Sequence, residues 1–208
     1  MKGASSSPDE VLEREIMNHL FPDTTYGCES GGDPKNIPDL TYENFLNFHR
    51  TYYHPSNSYI YLYGNMDMEE KLAFLDEHYL SHFDYLDVDS VIQGQKAFGA
   101  CRDVTLEYPV AENEGEEDNT YLSYNMVVGN AADSQMAIAF EVLDYALLSA
   151  PGAPLKQALL DVKAGKDVYG SYDDGILQPY FTVIAKGSNP DRKRRICICD
   201  QTGTWRYC

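Results

Sequence analysis

The feature that most limits the fold of this chain is the order of its helix and strand patterns. Helical patterns cover 8–20, Thr41 to His54, and Asp67 to about His82, and the first strand pattern appears only between the second and third of them. Nucleotide-binding folds instead require a regular alternation of strand, helix and strand. We therefore predict an α+β fold with antiparallel sheets flanked by helices.

Polar residues at the start of the helical patterns support these boundaries. Ser7, Thr41, Asp67 and Asp133 each stand directly before a helical pattern, and Pro8 follows the first of them. A side-chain oxygen at this position accepts a hydrogen bond from a free backbone N–H group of the first turn, and proline is tolerated there. We predict that all four residues cap helices.

The helix after Asp133 is predicted to bury one face. The residues at helical spacing on that face are Met136, Ala139, Phe140, Leu143 and Leu147.

Five segments read as strands because they are rich in β-branched and aromatic residues. They are 59–63, 103–108, 119–128, 167–172 and 179–185. The acidic segment 112–118 is too charged to be part of the core and is predicted as a loop. The segment 84–99 shows no helical or strand periodicity, so we predict that it connects two domains.

The charge of the chain excludes one class of partner. With 33 acidic and 16 basic residues the net charge is −17, which disfavours binding to a nucleic acid backbone. No apolar run approaches the roughly 20 residues of a membrane span, and the first thirty residues do not resemble a signal peptide. We expect a cytoplasmic protein that binds neither nucleic acid nor membrane.

One histidine pair is a candidate for metal binding. Glu77-His78 and His82 place two imidazoles at helical spacing, where they could share one helix face and bind zinc. A catalytic zinc site also needs a third ligand and a base, which this helix end does not supply. The alternative is a surface pair near a helix C-terminus, and His49 and His54 have the wrong spacing for one face.

Other local signatures of chemistry are weak. Cys197 and Cys199 are separated by one residue where a redox or zinc pair normally has two, and Cys28 and Cys101 stand alone. The turn 30–34, with two glycines before a proline, could bind an anion, but such a turn is more often structural. The sequence has no H-x-x-E-H, G-x-S-x-G or phosphate-binding G-x-x-x-x-G-K motif.

Several long motifs resemble one peptidase family. They begin with Leu20-Phe21-Pro22-Asp23-Thr24-Thr25-Tyr26-Gly27 and Ser30-Gly31-Gly32-Asp33-Pro34, and continue with Tyr52-Tyr53-His54-Pro55-Ser56-Asn57, Ser149-Ala150-Pro151-Gly152-Ala153-Pro154 and Tyr169-Gly170-Ser171-Tyr172. Over roughly residues 1–190 the chain resembles the presequence-protease branch of the pitrilysin/insulinase zinc metallopeptidase superfamily, and it is similar to an internal fragment of the N-terminal half.

The resemblance implies a zinc enzyme whose catalytic residues lie elsewhere. In the family an inverted motif H-x-x-E-H supplies two zinc ligands and the base, and a distal glutamate just before Met-Lys-Gly supplies the third ligand. This chain begins at Met1-Lys2-Gly3. The resemblance therefore implies no catalytic residue, no metal ligand and no zinc in this chain, and it gives Tyr169 and Tyr172 no substrate contact.

The resemblance also implies a domain organisation. Residues 1–85 correspond to the back part of the first peptidase-like α/β-roll domain, 86–102 to a connector, and 103–190 to the front part of a second, non-catalytic domain. Residues 191–208 depart from the family, since Arg192-Lys193-Arg194-Arg195 opens a basic, cysteine-rich tail. We expect this tail to come from a shifted reading frame, and residues 192–208 to be poorly ordered or packed adventitiously.

Two functions follow as expectations. In the first, the chain is the chamber wall of a zinc metalloendopeptidase that degrades short unstructured peptides, and it is inactive by itself. In the second, it is a non-catalytic structural or interaction protein that pairs with a separate zinc-bearing chain. Because each α+β unit lacks part of its sheet, we also expect exposed apolar surface and self-association, which the missing N-terminal half would compete with.

Overall fold

The computed structural model describes residues 7–110 and 115–196. Their contacts form two units. The sheet unit contains the described residues up to Glu29 and those from Gln93 onward, and the helical unit contains Ser30–Ile92. The boundaries predicted after residue 85 and before residue 103 divide whole peptidase-like domains and not these two units. They stay a prediction.

An antiparallel sheet forms the centre of the sheet unit. Its strands are β1 (Thr120–Val127), β2 (Asp167–Asp173) and β3 (Tyr180–Ser188), in the order β1-β3-β2. Asn125 lies opposite Thr182 on β3, and Thr182 lies opposite Ser171 on β2. The predicted α+β class, with an antiparallel sheet flanked by helices, is confirmed.

The central strand β3 supplies both halves of the core, because successive side chains of a strand point to opposite faces. Phe181 and Val183 face a cluster that also contains Leu148 and Ile196. Tyr180 and Ile184 belong to a second cluster. The sheet is therefore covered on both faces.

Helix α1 (Pro8–Leu20) covers the second face. Ile16, Leu20 and the residue after the helix, Phe21, pack against Tyr180 and Ile184. Pro8 lies in the first turn as predicted, but the predicted cap by Ser7 is wrong because its side chain makes no capping hydrogen bond. The helix position thus depends on its apolar face rather than on the cap.

The first face is covered by α4 (Ser134–Asp144), a π-helical turn (Tyr145–Ser149) and α5 (Pro154–Asp161). The Asp133 carboxylate accepts a hydrogen bond from the backbone N–H of Met136 at 3.1 Å, so this predicted cap is confirmed.

No residue of the buried face predicted for α4 is fully buried, and only two are partly buried. Phe140 and Leu147 pack against the core, whereas Met136 is 39% exposed and Leu143 is 41% exposed. That part of the prediction is wrong, because only Phe140 and Leu147 of this face pack against the described core.

The stretch Ser134–Asp161 also has the length and apolar composition to cross a membrane, the one such stretch among the described residues. A helix on the core of a soluble protein passes the same test. Here Phe140 and Leu148 pack on the sheet, and a turn at Pro151 and Gly152 interrupts the helix.

Gly170 allows the π-helical turn to approach β2 closely. A Cβ atom at this position would lie 2.3 Å from the carbonyl oxygen of Thr182 and 2.5 Å from Cδ1 of Leu148. No side chain fits these distances, so only glycine permits Leu148 to occupy this place.

The helical unit contains α2 (Tyr42–Tyr52) and α3 (Met68–His78). Thr41 Oγ1 accepts a hydrogen bond from Asn44 N, and the Asp67 carboxylate accepts one from Glu70 N, each at 3.1 Å. Both predicted caps are confirmed.

Short 3-10 turns occur in both units. They lie at Thr25–Gly27, Ile37–Asp39, Pro55–Asn57, Leu80–His82 and Pro190–Arg195.

Two of the five predicted strands are wrong. Residues 59–63 and 103–108 have no ladder hydrogen bonds with any described residue. Their β-rich composition favours an extended chain, but a strand also requires a neighbouring backbone to pair with. The strands predicted at 119–128, 167–172 and 179–185 have such neighbours in one another.

The helical unit exposes its apolar side chains. None of residues 30–92 is buried, and Phe45 of α2 is 66% exposed. The predicted exposure of a large apolar surface is therefore confirmed for this unit.

Candidate functional site

The predicted histidine pair does not share a helix face. Helix α3 ends at His78, where Tyr79 leaves helical geometry, and His82 ends a separate 3-10 turn. The ring of His78 packs against Phe74 with 4.6 Å between ring centroids. The shared helix face on which the zinc hypothesis depended is therefore absent.

The other two histidines of the helical unit have local structural roles. The ring of His49 stacks on Tyr53, with 4.9 Å between centroids and 8° between planes. His54 Nδ1 accepts a hydrogen bond from Ser56 N at 3.2 Å and caps the following 3-10 turn. Neither imidazole is near a cluster of ligands in the part of the chain that the structure describes.

The turn at residues 30–34 is held by its own hydrogen bonds. The Asp33 carboxylate accepts a bond from Lys35 N at 2.8 Å, and the Asp33 carbonyl accepts bonds from Asn36 N and Ile37 N. These bonds involve the N–H groups of residues 35–37, which follow the turn, so the choice between an anion site and a structural turn at 30–34 stays a prediction. Cys197 and Cys199 lie outside the described residues.

Residues 7–110 and 115–196 contain no group of three or more histidine, cysteine, aspartate or glutamate side chains that could hold a metal ion. Cys28 and Cys101 are free and exposed. The prediction that this chain carries no catalytic residue and no metal ligand stays a prediction, because the whole chain is not described.

One connected polar cluster of the sheet unit lies around Asp9, near the start of α1. Its carboxylate accepts hydrogen bonds from Lys186 Nζ at 3.0 Å, from the Tyr169 hydroxyl at 3.2 Å and from the Tyr121 hydroxyl at 3.5 Å. The Lys186 ammonium also lies 5.0 Å from the centre of the Tyr121 ring. These contacts join the start of α1 to all three strands.

The Asp9 cluster changes the ionisation of two of its members. Burial, followed by the nearby Asp9 carboxylate, raises the pKa of Tyr169 to about 12. Hydrogen bonds to Tyr121 and Asp9 raise the pKa of Lys186 above its usual value. Tyr169 thus stays a neutral phenol at physiological pH, which suits a structural role rather than that of a general base.

Tyr172 has a different environment from Tyr169. Its ring stacks on Phe140 with 5.5 Å between centroids, against the first core cluster. Burial raises the pKa of its phenol. Both tyrosines therefore contact the packed structure, and the geometry gives neither an evident catalytic role.

Gln95 in the predicted connector links two parts of the sheet unit. Its side-chain amide donates to the Asp23 carboxylate at 2.7 Å, and its side-chain oxygen accepts from Asp23 N at 2.9 Å. Its backbone pairs with the side-chain amide of Gln178, which donates to Gln95 O at 3.2 Å and accepts from Gln95 N. We call these three residues the glutamine clamp.

The first residues of the basic tail are packed in the sheet unit. Ile196 is 2% exposed and belongs to the first core cluster. Arg192 pairs with Asp118 at 3.4 Å, and Arg195 donates to the carbonyl of Val162 at 2.8 Å. Of the two predicted alternatives, poor order is wrong for residues 192–196, whereas adventitious packing stays a prediction; residues 197–208 lie outside the described residues.

Comparison with known proteins supplies the family that the geometry leaves open. The family model described as "Peptidase M16 inactive domain" matches residues 39–201, which is more than half of the chain. The chain belongs to the peptidase M16 family. The predicted resemblance to this metallopeptidase superfamily is thereby confirmed.

Similar proteins come from a bacterium, a plant and an animal. "Protein HypA" of Clostridium perfringens is 47% identical over 93% of this chain and 20% of its own length. "Presequence protease 1, chloroplastic/mitochondrial" of Arabidopsis thaliana is 36% identical over 94% of this chain and 18% of its own length. "Presequence protease, mitochondrial" of Xenopus laevis is 32% identical over 94% of this chain and 19% of its own length.

The M16 chain spans about a fifth of the length of these curated relatives. Two features of its structure had no signal in the sequence: the Asp9 cluster and the glutamine clamp. The sequence shows Asp9 only as an acidic residue of the first helical turn, and Gln95 lies in a segment without helical or strand periodicity. Both depend on contacts across more than 70 residues of sequence, which no local pattern encodes.

Proposed function

We propose that this chain forms wall and scaffold of a zinc metalloendopeptidase that degrades short unstructured peptides within a closed chamber. The observation that carries the proposal is the match of residues 39–201 to the domain of the M16 family that is described as inactive. Two relatives that are named presequence proteases support the peptide substrate class.

The residues that the structure describes do not fit a zinc ion. A zinc site needs three or four nitrogen, sulfur or oxygen ligands at about 2.0–2.3 Å. The His78 and His82 pair is divided between a helix and a separate turn, and no third ligand joins it among residues 7–110 and 115–196. No catalytic step is therefore assigned to a metal held by these residues.

The role left to the described residues is mechanical. In the sheet unit the Asp9 cluster fastens α1 to the three strands, and the glutamine clamp fastens residue 95 to the segments at Asp23 and Gln178. A domain fixed by such long-range contacts presents a constant surface. The wall of a reaction chamber needs such a rigid surface, because the wall excludes water and positions the substrate.

A second function is favoured by the helical unit. Residues 30–92 expose large apolar side chains and bury none of them. Such a surface is typical of a chain that packs against a partner. The alternative is therefore a non-catalytic structural or interaction protein that pairs with a separate zinc-bearing chain.

Zinc content and peptidase activity together test the proposal. We expect the purified 208-residue chain to contain less than stoichiometric zinc after exhaustive dialysis and to leave a quenched basic peptide uncleaved. Adding a chain with the inverted zinc motif should produce chelator-sensitive cleavage if the two halves form one chamber. One equivalent of zinc that is lost in the variant His78→Ala, or cleavage by the chain alone, would overturn the scaffold proposal.

The two functions differ in what the added chain does. A chamber wall should increase the peptidase activity of the zinc-bearing chain, whereas an interaction protein should bind that chain and leave its activity unchanged. Binding measured by light scattering and activity measured on the same mixture separate them.

We propose a cytoplasmic location for the chain. The free, exposed thiols of Cys28 and Cys101 support it, since a reducing compartment keeps thiols in this state. Cell fractionation with an antibody against the chain tests the location, and recovery in a membrane or secreted fraction would contradict it.

A further inference from the structure

The run of basic residues Arg192-Lys193-Arg194-Arg195 is unusual in this acidic chain. The chain carries 33 acidic and 16 basic residues, and no two lysine or arginine residues are adjacent anywhere else in its sequence. An endopeptidase that reads adjacent basic residues binds them in acidic pockets, where charge complementarity supplies the specificity. This basic run is therefore the one target in the sequence for a protease of that specificity.

The fold engages the first two side chains of the basic run. Arg192 pairs with the Asp118 carboxylate at 3.4 Å. Lys193 pairs with the Asp103 carboxylate and donates a hydrogen bond to Thr105 Oγ1 at 3.1 Å. An acidic pocket of a protease would have to compete with these carboxylates for the same two cations.

The peptide bond at the end of the basic run is held on both sides. Before the bond, Arg195 donates hydrogen bonds to the carbonyl oxygens of Val162 at 2.8 Å and Lys163 at 3.1 Å. After the bond, Ile196 is 2% exposed within the first core cluster. A protease needs access to the residues on both sides of the bond that it cleaves, so the packed form is not a substrate at this bond.

The backbone of the basic run is also closed. Pro190–Arg195 form a 3-10 turn, in which Arg192 N donates to Asn189 O at 3.0 Å and Ile196 N donates to Lys193 O at 3.4 Å. A protease binds the residues around the cleaved bond in extended form, which this turn does not offer. Cleavage must therefore wait for local opening, as it does for folded segments in general.

We propose that residues 192–196 form a cryptic cleavage site for an endopeptidase that reads adjacent basic residues. The site becomes accessible when the turn opens and Ile196 leaves the first core cluster. The peptide bond between Arg195 and Ile196 then breaks by addition of water, so that a carboxyl group forms on Arg195 and an amino group forms on Ile196.

Cleavage at this bond makes a transient opening permanent. The new amino group of Ile196 is charged at neutral pH, and a charge without a partner is costly to bury. Ile196 therefore cannot return to its place in the core. The first core cluster loses a buried side chain, so the cleaved product 1–195 should unfold at a lower temperature than the intact chain.

This inference goes beyond the proposed function, and its test involves neither zinc nor the peptidase activity of the M16 family. The probe is a subtilisin-like endopeptidase that requires adjacent basic residues, and the reference is a synthetic peptide of residues 188–203. We expect the folded 208-residue chain to be cleaved after Arg195 at least about tenfold more slowly than the peptide, because opening must expose a buried isoleucine. Mass spectrometry of the products identifies the bond and gives the rate.

Substitutions outside the basic run test whether its contacts control the opening. Asp118→Asn removes the charge that pairs with Arg192, and it should speed cleavage of the folded chain by about threefold, as expected for a partly exposed ion pair. The matched control is Asp167→Asn, because Asp167 pairs with Lys156 instead, at 3.2 Å, and this variant should leave the rate unchanged.

A second variant keeps the test valid if Asp118→Asn folds poorly. Asp103→Asn removes the partner of Lys193, and because the Asp103 side chain is 72% exposed, the change should leave the fold intact while it speeds cleavage. Three results would overturn the proposal. They are a folded chain that is cleaved as fast as the peptide, a peptide that the enzyme leaves uncleaved, and equal cleavage rates in the two test variants and the Asp167→Asn control.

Discussion

The sheet unit and the helical unit use similar amphipathic patterns but bury them very differently. Phe21 follows α1 and is 0% exposed, whereas Phe45 lies on α2 and is 66% exposed. Both residues occur in apolar patterns of the same kind. The difference is that β3 and its neighbours provide a surface for α1, while no described residue provides one for α2.

This comparison shows that a stripe of apolar residues can specify a helix and the face that it will bury. Whether that face is buried depends on a neighbouring element that packs against it. The sheet unit contains both the strands and the helices that cover them. The helical unit has no fully buried residue. Mutations in the first unit should therefore affect stability, and similar mutations in the second should affect association.

The largest expected effect comes from the two phenylalanines. Phe21→Ala should lower the free energy of unfolding by about 3–5 kcal/mol, because it removes a fully buried ring. Phe45→Ala should change it by less than about 0.5 kcal/mol, as is usual for surface substitutions. Urea unfolding followed by circular dichroism measures both, and equal effects would contradict the difference between the units.

Ile196 tests whether the start of the basic tail belongs to the core of the sheet unit. Ile196→Ala should cost about 2–4 kcal/mol, since its side chain packs in the first cluster. The control is Ile138→Ala on the exposed side of α4, which should be nearly neutral. A neutral Ile196→Ala in the same urea experiment would restore the expectation of a tail without specific packing.

The glutamine clamp should have a moderate effect. Gln95→Ala removes the hydrogen bonds of a buried side chain to the N–H group and carboxylate of Asp23; because Asp23 is exposed and water can replace these bonds, the expected cost is about 0.5–1.5 kcal/mol. The exposed Gln157 also donates to a carboxylate, that of Asp161, so Gln157→Ala serves as control. A thermal unfolding midpoint that falls equally in both variants would show that burial does not strengthen the clamp.

The smallest effect concerns alkaline pH. The folded-state pKa of Tyr169 is raised to about 12, so its phenol stabilises the fold fully below the unfolded value near pH 10. That contribution is lost as the pH rises from about 10 to about 12. Absorbance titration at alkaline pH should show one fewer late-titrating phenol in Tyr169→Phe. An unchanged late titration would argue against this assignment.

Local patterns predicted much of the fold because capping and periodicity act within a few residues. Thr41, Asp67 and Asp133 cap the helices that they were predicted to cap, and three strands form where composition placed them. The motifs quoted from residues 20–57 also led to the correct family.

The remaining features depend on contacts between distant residues. The segment 59–63 has strand composition but no described ladder partner, and His82 lies beyond a helix end that Tyr79 determines. The clamp joins Gln95 to residues 72 and 83 positions away. No local pattern contains the information for such contacts.

The glycine at position 170 also determines how the layers of the sheet unit can move. Leu148 lies in the gap left by its missing side chain, with strand residues on either side. Val168 and Tyr172 lie two residues before and after Gly170 on the same face of β2. If the helical layer slid along β2, the Leu148 side chain would clash with one of these two side chains. The layer can therefore separate from the sheet by lifting away from it, but not by shear.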